Sequence, residues 1–371
     1  MYRISLSSAH RPFSLTPVAI PWTKTAVTLT FKREAIPTQV DDTGKQCFLV
    51  FIPPEIPADG SLSLQVREDI PETEGVTTVD DQQGTVNFFV GEELFTSYHY
   101  GPEVVRPYLN PVMGPGKISL VRKPVPPGNP ENLDHPHHRG IWVAHGDVNG
   151  TDNWSEASGH GWTVHQKFLK IVSGPVFGRL QALNYWVTAD KKKILEEERT
   201  ITVYALPADH RIIDHTIILR ASEGEVVFKD TKESGLLSVR MNPCLEVRNG
   251  GRFENAHGGV NEKECWGQRA MWCDYYGRVE QESVGLAVFD HPGNFRYPTW
   301  WHIRNYGLMT ANFLGLADFT GDKRNSGTYL LPAYQELKLS YRLLIHRGTT
   351  REANIRDRYL NYLFPPEVSV T

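Results

Sequence analysis

Histidines are concentrated in one short stretch of this 371-residue chain. The stretch runs from His135 to Trp154. Four of the 14 histidines, His135, His137, His138 and His145, fall within eleven residues. Imidazole titrates near neutral pH, so a cluster of this kind can transfer protons, ligate a metal ion or hydrogen-bond the hydroxyl groups of a sugar. Packing alone rarely requires so many histidines, and the stretch therefore predicts a polar functional site.

The residues around these histidines strengthen that prediction. Residues 140–145 have the pattern of a short strand, in which Ile141, Val143 and His145 share one face. Pro136 disfavours a helix, so we expect the first three histidines in a loop that leads into the strand. Turn-forming residues follow and would present further polar groups beside His145. The residues predicted here to bind substrate are His135, Arg139, Asp147, Asn149 and Trp154.

A metal ion is a second use for such a cluster. His137, His138 and His145 can supply three imidazoles, and catalytic zinc sites commonly combine three protein ligands with water. The spacing matches no established metal signature, and Asp147 could instead contribute to an oxygen-rich site. A divalent metal is therefore a hypothesis from residue type, and no other cofactor is predicted.

Later segments carry the remaining candidates for acid-base chemistry. Lys232 and Glu233 follow a predicted strand, where a carboxylate can act as acid or base, although a solvated surface pair explains them equally well. The predicted catalytic residues are His138 or His145 as the base, with His291, Glu233 or Asp290 as its acid partner. The predicted substrate-binding residues in these segments are Gln268, Arg269, Asp274, Trp301 and His302. This hypothesis requires the segments to converge at one rim of the fold, with Trp154 and Trp301 as pocket walls.

Apolar and polar residues alternate along most of the chain, a pattern typical of strands. Such segments include residues 62–66, 178–188, 211–220 and 334–345, whereas helical spacing occurs only in residues 351–363. Proline and glycine in residues 123–132 predict a long surface loop before the histidines. We predict an all-β fold, a large antiparallel β-sandwich over residues 85–371 with a small β-rich N-terminal part over residues 1–84.

Composition excludes several classes of protein. A net charge of −4 and a pI near 6.4 argue against nucleic acid or an anionic membrane as a partner. The chain has no apolar run of the ~18 residues that a membrane helix needs, and residues 1–20 lack a signal-peptide pattern, so we expect a soluble, cytoplasmic protein. The four cysteines show no CxxC spacing, and motifs for nucleotide binding and α/β-hydrolase chemistry are missing.

Several short motifs together resemble a bacterial family of unknown function whose members carry the label methane oxygenase, PmoA-like. They are His-Pro-His-His-Arg-Gly at 135–140, His-Gly-Asp-Val-Asn-Gly at 145–150, Trp-Gly-Gln-Arg at 266–269, Asp-His-Pro at 290–292 and Trp-Trp-His at 300–302. The resemblance covers nearly the whole chain. We set the label aside, because a methane monooxygenase subunit is an integral membrane protein and this sequence has no membrane span.

The resemblance implies a connection with sugars. Members of the family often occur beside sugar oxidoreductases, and their expected fold is similar to the galactose-mutarotase-like supersandwich. In mutarotase-like enzymes a histidine and a carboxylate exchange protons with the sugar ring, while further histidine and arginine side chains hold its hydroxyl groups. This is an analogy of fold, and it transfers no individual residue.

Three classes of function follow, in order of preference. The first is an enzyme that uses acid-base chemistry on a sugar, glycoside or oxidised sugar, by epimerisation, elimination or hydrolysis. The second is a metal-dependent enzyme, a lyase or hydrolase, for the same substrates. The third is a noncatalytic carbohydrate-binding protein with tryptophan stacking surfaces. Histidine density favours the enzymes, because stacking surfaces need no acid-base pair.

Overall fold

The computed structural model describes residues 3–23, 25–68, 74–125 and 134–371. Strands account for 51% of it and helices for 8%, which confirms the all-β prediction. The N-terminal strands are β1 (Arg3–Ser7), β2 (Val18–Trp22), β3 (Thr28–Phe31), β4 (Glu34–Ile36), β5 (Thr38–Asp42), β6 (Cys47–Phe51) and β7 (Ser61–Arg67). The next are β8 (Val76–Asp80), β9 (Thr85–Val90), β10 (Glu93–His99), β11 (Tyr108–Val112), β12 (Ile141–Val148), β13 (Thr151–Asn153), β14 (Trp162–Val172), β15 (Phe177–Val187), β16 (Lys193–Tyr204), β17 (His210–Arg220) and β18 (Val226–Phe228).

The remaining strands are β19 (Ser234–Arg240), β20 (Arg252–Asn255), β21 (Trp272–Val279), β22 (Glu282–Asp290), β23 (Trp300–Ile303), β24 (Leu308–Asn312), β25 (Tyr329–Leu331), β26 (Glu336–Arg347) and β27 (Glu367–Val370). The helices are α1 (Asn261–Cys265), α2 (Leu316–Thr320) and α3 (Ile355–Leu363), with short 3-10 turns at Pro115–Lys117, Pro243–Leu245 and Val247–Asn249. Helix α3 lies within the segment that the helical spacing indicated.

Two large antiparallel sheets form the body of the protein. The first has the order β23-β24-β19-β12-β11-β10-β9-β8, with β13, β18 and β25 attached beside β12, and the second has the order β14-β15-β16-β17-β26-β22-β21-β20. The main hydrophobic core contains Phe88 and Val143 from the first sheet and Ile213 and Leu343 from the second. The sheets therefore pack face to face, which confirms the predicted large β-sandwich.

Two smaller sheets combine the N-terminal strands β1–β7 with the C-terminal strand β27, in the orders β27-β1-β7-β3-β4 and β2-β6-β5. Their inward-facing residues share a separate core that includes Ile4, Leu29, Phe51 and Leu64. Burial alternates strictly along β7, because successive side chains of a strand point to opposite faces.

The large sheet begins before the predicted boundary at residue 84. Strand β8 pairs with β9 from Val76 opposite Val90 to Asp80 opposite Val86. Sheet membership therefore changes between β7 and β8, a segment whose residues 69–73 lie outside the described residues, as do residues 126–133 of the predicted surface loop. The independence of the N-terminal part as a domain stays a prediction.

Strand β12 carries the histidine stretch into the first large sheet. Its side chains alternate as the sequence pattern predicts: Ile141 and Val143 enter the main core, whereas Trp142 and Ala144 join a separate cluster. Gly140, at the start of the strand, has φ of +59°, and a Cβ there would lie 2.0 Å from the carbonyl oxygen of Leu109. Only glycine fits this approach between neighbouring strands.

Candidate functional site

Two arginines hold the histidine loop, defined here as residues 134–140. Arg122 donates from Nη1 to the Asp134 carbonyl at 2.7 Å and from Nη2 to the His138 carbonyl at 3.0 Å. Arg240 is 1% exposed, pairs with the Asp134 carboxylate and lies 3.2 Å from Nδ1 of His138. Because arginine can only donate, Nδ1 of His138 accepts, and the neutral ring carries its hydrogen on Nε2.

A layer of aromatic rings supports the loop. His135 lies between Tyr306 and His138, with centroid distances of 5.1 Å and 4.7 Å and nearly parallel planes. His138 continues the layer to Trp142 at 5.3 Å, and His137 meets the edge of His138 at 4.4 Å. Each ring is therefore held in one orientation by its neighbours, as a binding site requires.

A cavity of about 580 Å³ borders this layer. Five residues predicted from the sequence line it: His135, His137, Asp147, Trp154 and Glu233. The other lining residues are Gly146, Asp152, Ser155, Lys229, Asp230 and Thr231. We name it the histidine cavity. Its lining residues come from the histidine loop, from β12, β13 and the residues next to them, and from the segment that leads into β19.

Gly146 brings these two segments into contact. A Cβ at this position would lie 3.0 Å from Cβ of Glu233 and 3.2 Å from Cγ2 of Thr231. The Gly146 N–H donates to the Glu233 carbonyl at 3.1 Å. A side chain at position 146 would therefore push Glu233 out of the cavity.

Two ion pairs at the cavity are accessible to a ligand. Lys229 Nζ lies 3.2 Å from Oδ2 of Asp147, and Lys232 Nζ lies 3.2 Å from Oε1 of Glu233. Exposed pairs of this type stabilise a fold by only about 0–1 kcal/mol. A ligand can therefore displace either lysine from its carboxylate at little cost.

Two other carboxylates of the cavity are occupied by backbone N–H groups. Asp152 accepts hydrogen bonds from the N–H groups of Trp154 at 2.8 Å and Ser155 at 2.9 Å. Burial opposes its ionisation, but hydrogen bonds from Ser155 and Trp154 lower the pKa of Asp152. Asp230 accepts from the N–H of Ala317 at 3.0 Å. These side chains shape the cavity and are poor candidates for proton transfer.

His137 lines the cavity, and one of its ring nitrogens is buried without a partner among the described residues. Its Nε2 is shielded from solvent and has no hydrogen-bond partner within the part of the chain that the structure describes. Burial, reinforced by the positive charges of Arg106 and His135, lowers the pKa of His137 to about 3. The imidazole is thus neutral at physiological pH and is suited to hydrogen bonding.

His145 lies in the core, away from the cavity. Strand β12 continues past it to Val148, so the ring does not emerge at a strand end as the turn-rich sequence predicted. Its Nε2 donates to the Lys229 carbonyl at 2.8 Å, and its ring contacts Phe228. Burial lowers the pKa of His145 to about 4.

Arg139 and Asn149 have structural contacts. Arg139 Nη2 donates to Oε2 of Glu156 at 2.6 Å. Asn149 has φ of +51°, and its Oδ1 accepts from the Val227 N–H at 2.7 Å. The predicted bend is therefore present at Asn149, but neither residue lines the histidine cavity.

His302 supports the segment that carries Glu233. It is 2% exposed, and its Nδ1 donates to the Lys232 carbonyl at 2.6 Å. Burial lowers the pKa of His302 to about 3, against the effect of this hydrogen bond. His302 therefore positions the chain next to Glu233.

Asp290 and His291 lie apart from the histidine cavity. At the end of β22, the Asp290 carboxylate accepts from Nδ2 of Asn294 at 2.7 Å and from the Thr299 N–H at 2.8 Å, and burial raises its pKa to about 6. Nδ1 of His291 accepts from the Gly293 N–H at 3.0 Å. Neither of these two predicted alternatives for the acid partner lines the histidine cavity.

Arg269, Gln268 and Trp301 form a structural unit. Arg269 Nε donates to the Pro298 carbonyl at 2.8 Å, and the Gln268 carbonyl accepts from the Trp301 N–H at 3.1 Å. Trp301 is fully buried, with its indole N–H bonded to the Ala270 carbonyl at 2.9 Å. It therefore belongs to the core, and the predicted second pocket wall is not formed by this residue.

Asp274 has a histidine partner. Its Oδ1 lies 2.9 Å from Nε2 of His346, and its Oδ2 accepts from the Thr350 hydroxyl at 2.7 Å. Both acidic and imidazole groups are buried. The sequence predicted a substrate-binding role for Asp274, and the structure shows a buried Asp-His pair.

The three histidines suggested as metal ligands do not converge. The rings of His137 and His138 are adjacent, but His145 is directed toward Lys229 and Phe228. Within residues 3–23, 25–68, 74–125 and 134–371, no group of three His, Cys, Asp or Glu side chains could hold a metal ion. The residues present do not fit a three-ligand metal centre.

Treatment with a chelator tests this conclusion. Because the histidine loop is held by Arg122 and Arg240, dialysis against EDTA is expected to leave the melting temperature unchanged. Differential scanning calorimetry before and after dialysis measures it. A loss of several degrees that zinc restores would contradict the prediction.

Residues missed from the sequence are mainly the partners of the loop. Arg122, Arg240 and Tyr306 contact it from distant segments, and Lys229 lines the cavity. Arg240 ends β19 and is followed by Met241, and this pair of residues matches no functional motif. Only the general rule that a buried arginine needs acceptors would have drawn attention to Arg240.

The fold and the cavity define an all-β sandwich protein with a polar site bordered by histidines. A family of unknown function, DUF6807, matches residues 85–359, and the chain belongs to this family. Membership in an uncharacterised family was predicted from the motifs. No curated protein matches the chain.

Two solved structures are similar to the chain at 9% identity. A glycosyl hydrolase family 38 protein from Enterococcus faecalis has a TM-score of 0.37, and the match covers 100% of this chain and 47% of that one. A GalM/aldose epimerase homologue from C. elegans has a TM-score of 0.31, with coverages of 74% and 99%. The chain spans about half the length of the first protein. These scores do not establish a shared fold, so the mutarotase-like arrangement stays a prediction.

None of the helices in the described residues is long and apolar enough to cross a membrane. The cytoplasmic location stays a prediction.

Proposed function

We propose that this protein is an enzyme that acts on a sugar, glycoside or oxidised sugar by acid-base chemistry in the histidine cavity. One observation carries the proposal: the neutral imidazole of His137 and the carboxylate of Glu233 border the same cavity of about 580 Å³. The pair comes from segments far apart in the sequence. A group that can exchange protons thus borders the same cavity as a group that can hold a hydroxyl.

The cavity has the surface chemistry of a sugar site. Carboxylates of Asp147 and Glu233 accept hydrogen bonds from hydroxyl groups, and the Lys229 ammonium donates them. The Trp154 ring adds an apolar wall for the C–H face of a sugar. The volume of the cavity is within the range of roughly 300–1,000 Å³ that small-molecule sites occupy.

Glu233 is assigned the proton transfer. Its carboxylate is partly exposed and has only the partly exposed Lys232 as ion-pair partner among the described residues. Proton abstraction beside a carbonyl, or protonation of a glycosidic oxygen, needs such a group within reach of the substrate. His137 and Lys229 supply donors for the oxygen that gains charge.

His138 and His145 are positioning residues in this proposal. The sequence assigned the role of base to one of these two histidines. We assign it to Glu233 instead, because neither imidazole lines the cavity. His138 accepts from Arg240, and His145 donates to the Lys229 carbonyl. The His138 ring also packs against His135 and His137, so each of the two rings supports residues that line the cavity.

Turnover of a sugar panel by single variants tests the assignment. Glu233→Gln keeps the shape of the side chain but removes its base, so we expect kcat to fall about 100-fold or more with an unchanged melting temperature. His137→Asn is expected to raise KM and lower kcat, because a hydrogen-bonding group is lost. His291→Ala is the matched control, and its kcat should stay within about twofold of wild type.

Three results would contradict the proposal. The first is a near wild-type rate in well-folded Glu233→Gln. The second is a His291→Ala variant that loses activity as strongly as Glu233→Gln. The third is a wild-type protein that binds sugars from the panel without converting any of them, which would favour a noncatalytic carbohydrate-binding protein.

A further inference from the structure

A second cavity, of about 660 Å³, lies between the β14–β15 hairpin and the loop after β10. The Thr163 N–H donates to the Val105 carbonyl at 2.9 Å, and this bond attaches the loop to β14. Strand β14 is at the edge of the second large sheet. We name this cavity the aromatic groove.

Aromatic and aliphatic side chains together line the groove. Trp162 and Tyr185 come from the hairpin, and Tyr100 comes from the loop. In the pairing of β14 with β15, Trp162 is opposite Val187 and Val164 is opposite Tyr185. These four side chains therefore share one face of the hairpin.

Only cations carry formal charge among the lining residues. Lys191 Nζ lies 3.4 Å from the centroid of the Trp162 ring, and Lys193 Nζ lies 4.1 Å from that of Tyr185. Lys193 is also paired with Glu196 at 2.6 Å and Glu223 at 3.0 Å. Lys191 has no ion-pair partner in the described part of the chain, so its charge is available to a ligand.

We propose that the aromatic groove binds an acidic saccharide, with one uronate ring stacked on an aromatic wall and its carboxylate paired with Lys191. A uronate combines the two features that the groove requires, a C–H face for Trp162 or Tyr185 and a negative charge for the ammonium. A neutral sugar would offer no charge with which Lys191 could form an ion pair. The inference rests on the proposed function, which gives a saccharide as the ligand. It adds that this saccharide carries a negative charge.

The groove is close to the histidine cavity in the fold. The Gly161 N–H, next to Trp162, donates to the carbonyl of Asp152 at 2.7 Å, and Asp152 lines the histidine cavity. Val104 lines the groove and packs against the hydrophobic cluster that contains Trp154. The groove is therefore placed to hold another ring of the glycan that enters the histidine cavity.

Calorimetric titration with trigalacturonate and with its methyl ester tests the inference. The acid should bind at least about tenfold more tightly than the ester, and added salt should reduce the difference, since the carboxylate pairs with an exposed cation. Trp162→Ala should weaken binding of both ligands about tenfold. Lys191→Gln should remove most of the preference for the acid.

Lys192→Gln is the matched control, because Lys192 lies in the same turn but does not line the groove. It should bind like wild type. The titration measures binding and not turnover, so a failed catalytic assignment of Glu233 leaves this result unaffected. Equal affinities for acid and ester, no binding of either, or an equal loss in Lys192→Gln and Lys191→Gln would overturn the inference, even if turnover of a neutral sugar supports the proposed function.

Discussion

Lowering the pH from 7 to 5 is expected to unfold this protein. Burial lowers the pKa of His137, His210 and His302 to about 3 and that of His145 to about 4. The pKa values of His138 and His215 are also far below the ordinary value, mainly because of burial. The folded protein therefore keeps six histidines neutral through this pH range.

The direction of the effect follows from proton binding. Below pH 6.5 the unfolded chain binds a proton at each of these histidines, whereas the folded protein does not, so each proton stabilises the unfolded state. From pH 7 to pH 5 this amounts to roughly 2 kcal/mol for each histidine. The sum is comparable with the about 5–15 kcal/mol that stabilises a typical domain.

Two groups act in the opposite direction. Burial raises the pKa of Asp290 to about 6, so the folded protein holds this proton where the unfolded chain releases it. The pKa of His346 is raised by Asp274 despite burial, and its stabilisation is present at low pH and lost as pH rises. The stabilisation from Asp290 and His346 is smaller than the destabilisation from the six buried histidines. The free energy of unfolding should therefore decrease as the pH is lowered.

Thermal unfolding at pH 7.0, 6.0 and 5.0 measures this effect, with the largest loss between the last two values. His215→Met removes one of the six buried imidazoles without touching the cavity, and it should reduce the pH slope by about one sixth, the share of one group. A melting temperature that stays constant from pH 7 to pH 5 would show that these histidines are protonated in the folded protein.

Replacing Arg240 with methionine is expected to reduce the free energy of unfolding by about 3–5 kcal/mol. Its guanidinium is 1% exposed and contacts the buried Glu246 carboxylate at 3.4 Å, Nδ1 of His138 at 3.2 Å and the face of Tyr306 at 4.8 Å. The substitution leaves buried acceptors without this donor. It also removes the ion pair between Arg240 and Asp134 that holds the histidine loop. We therefore expect the variant to lose sugar binding as well as stability.

Arg248→Met is the matched control for Arg240→Met. Arg248 pairs with the same carboxylate at 2.6 Å, but its side chain is 75% exposed. Water can replace an exposed partner, so we expect a loss of about 1 kcal/mol or less. Urea titration followed by tryptophan fluorescence gives both values. Equal losses in the two variants would mean that the buried contacts of Arg240 do not stabilise the loop.

Local sequence pattern was sufficient to predict the all-β class and several of the elements of this fold. Residues 211–220 and 334–345 alternate, and they form β17 and β26, while the helical spacing of residues 351–363 contains α3. The reason is geometric, since the period of a strand or helix is set by its own backbone. The polar, histidine-rich character of the site was readable for the same reason, because its loop is one continuous segment.

Only the tertiary structure decided which distant residues join that loop. Glu233 and Asp290 looked equivalent in the sequence, as carboxylates beside predicted strands. In the fold, β19 is the neighbour of β12 in the first sheet, whereas β22 belongs to the second sheet. Glu233 therefore borders the histidine cavity, and Asp290 does not. Strand order depends on how the whole chain packs its apolar faces, and no local period contains that information.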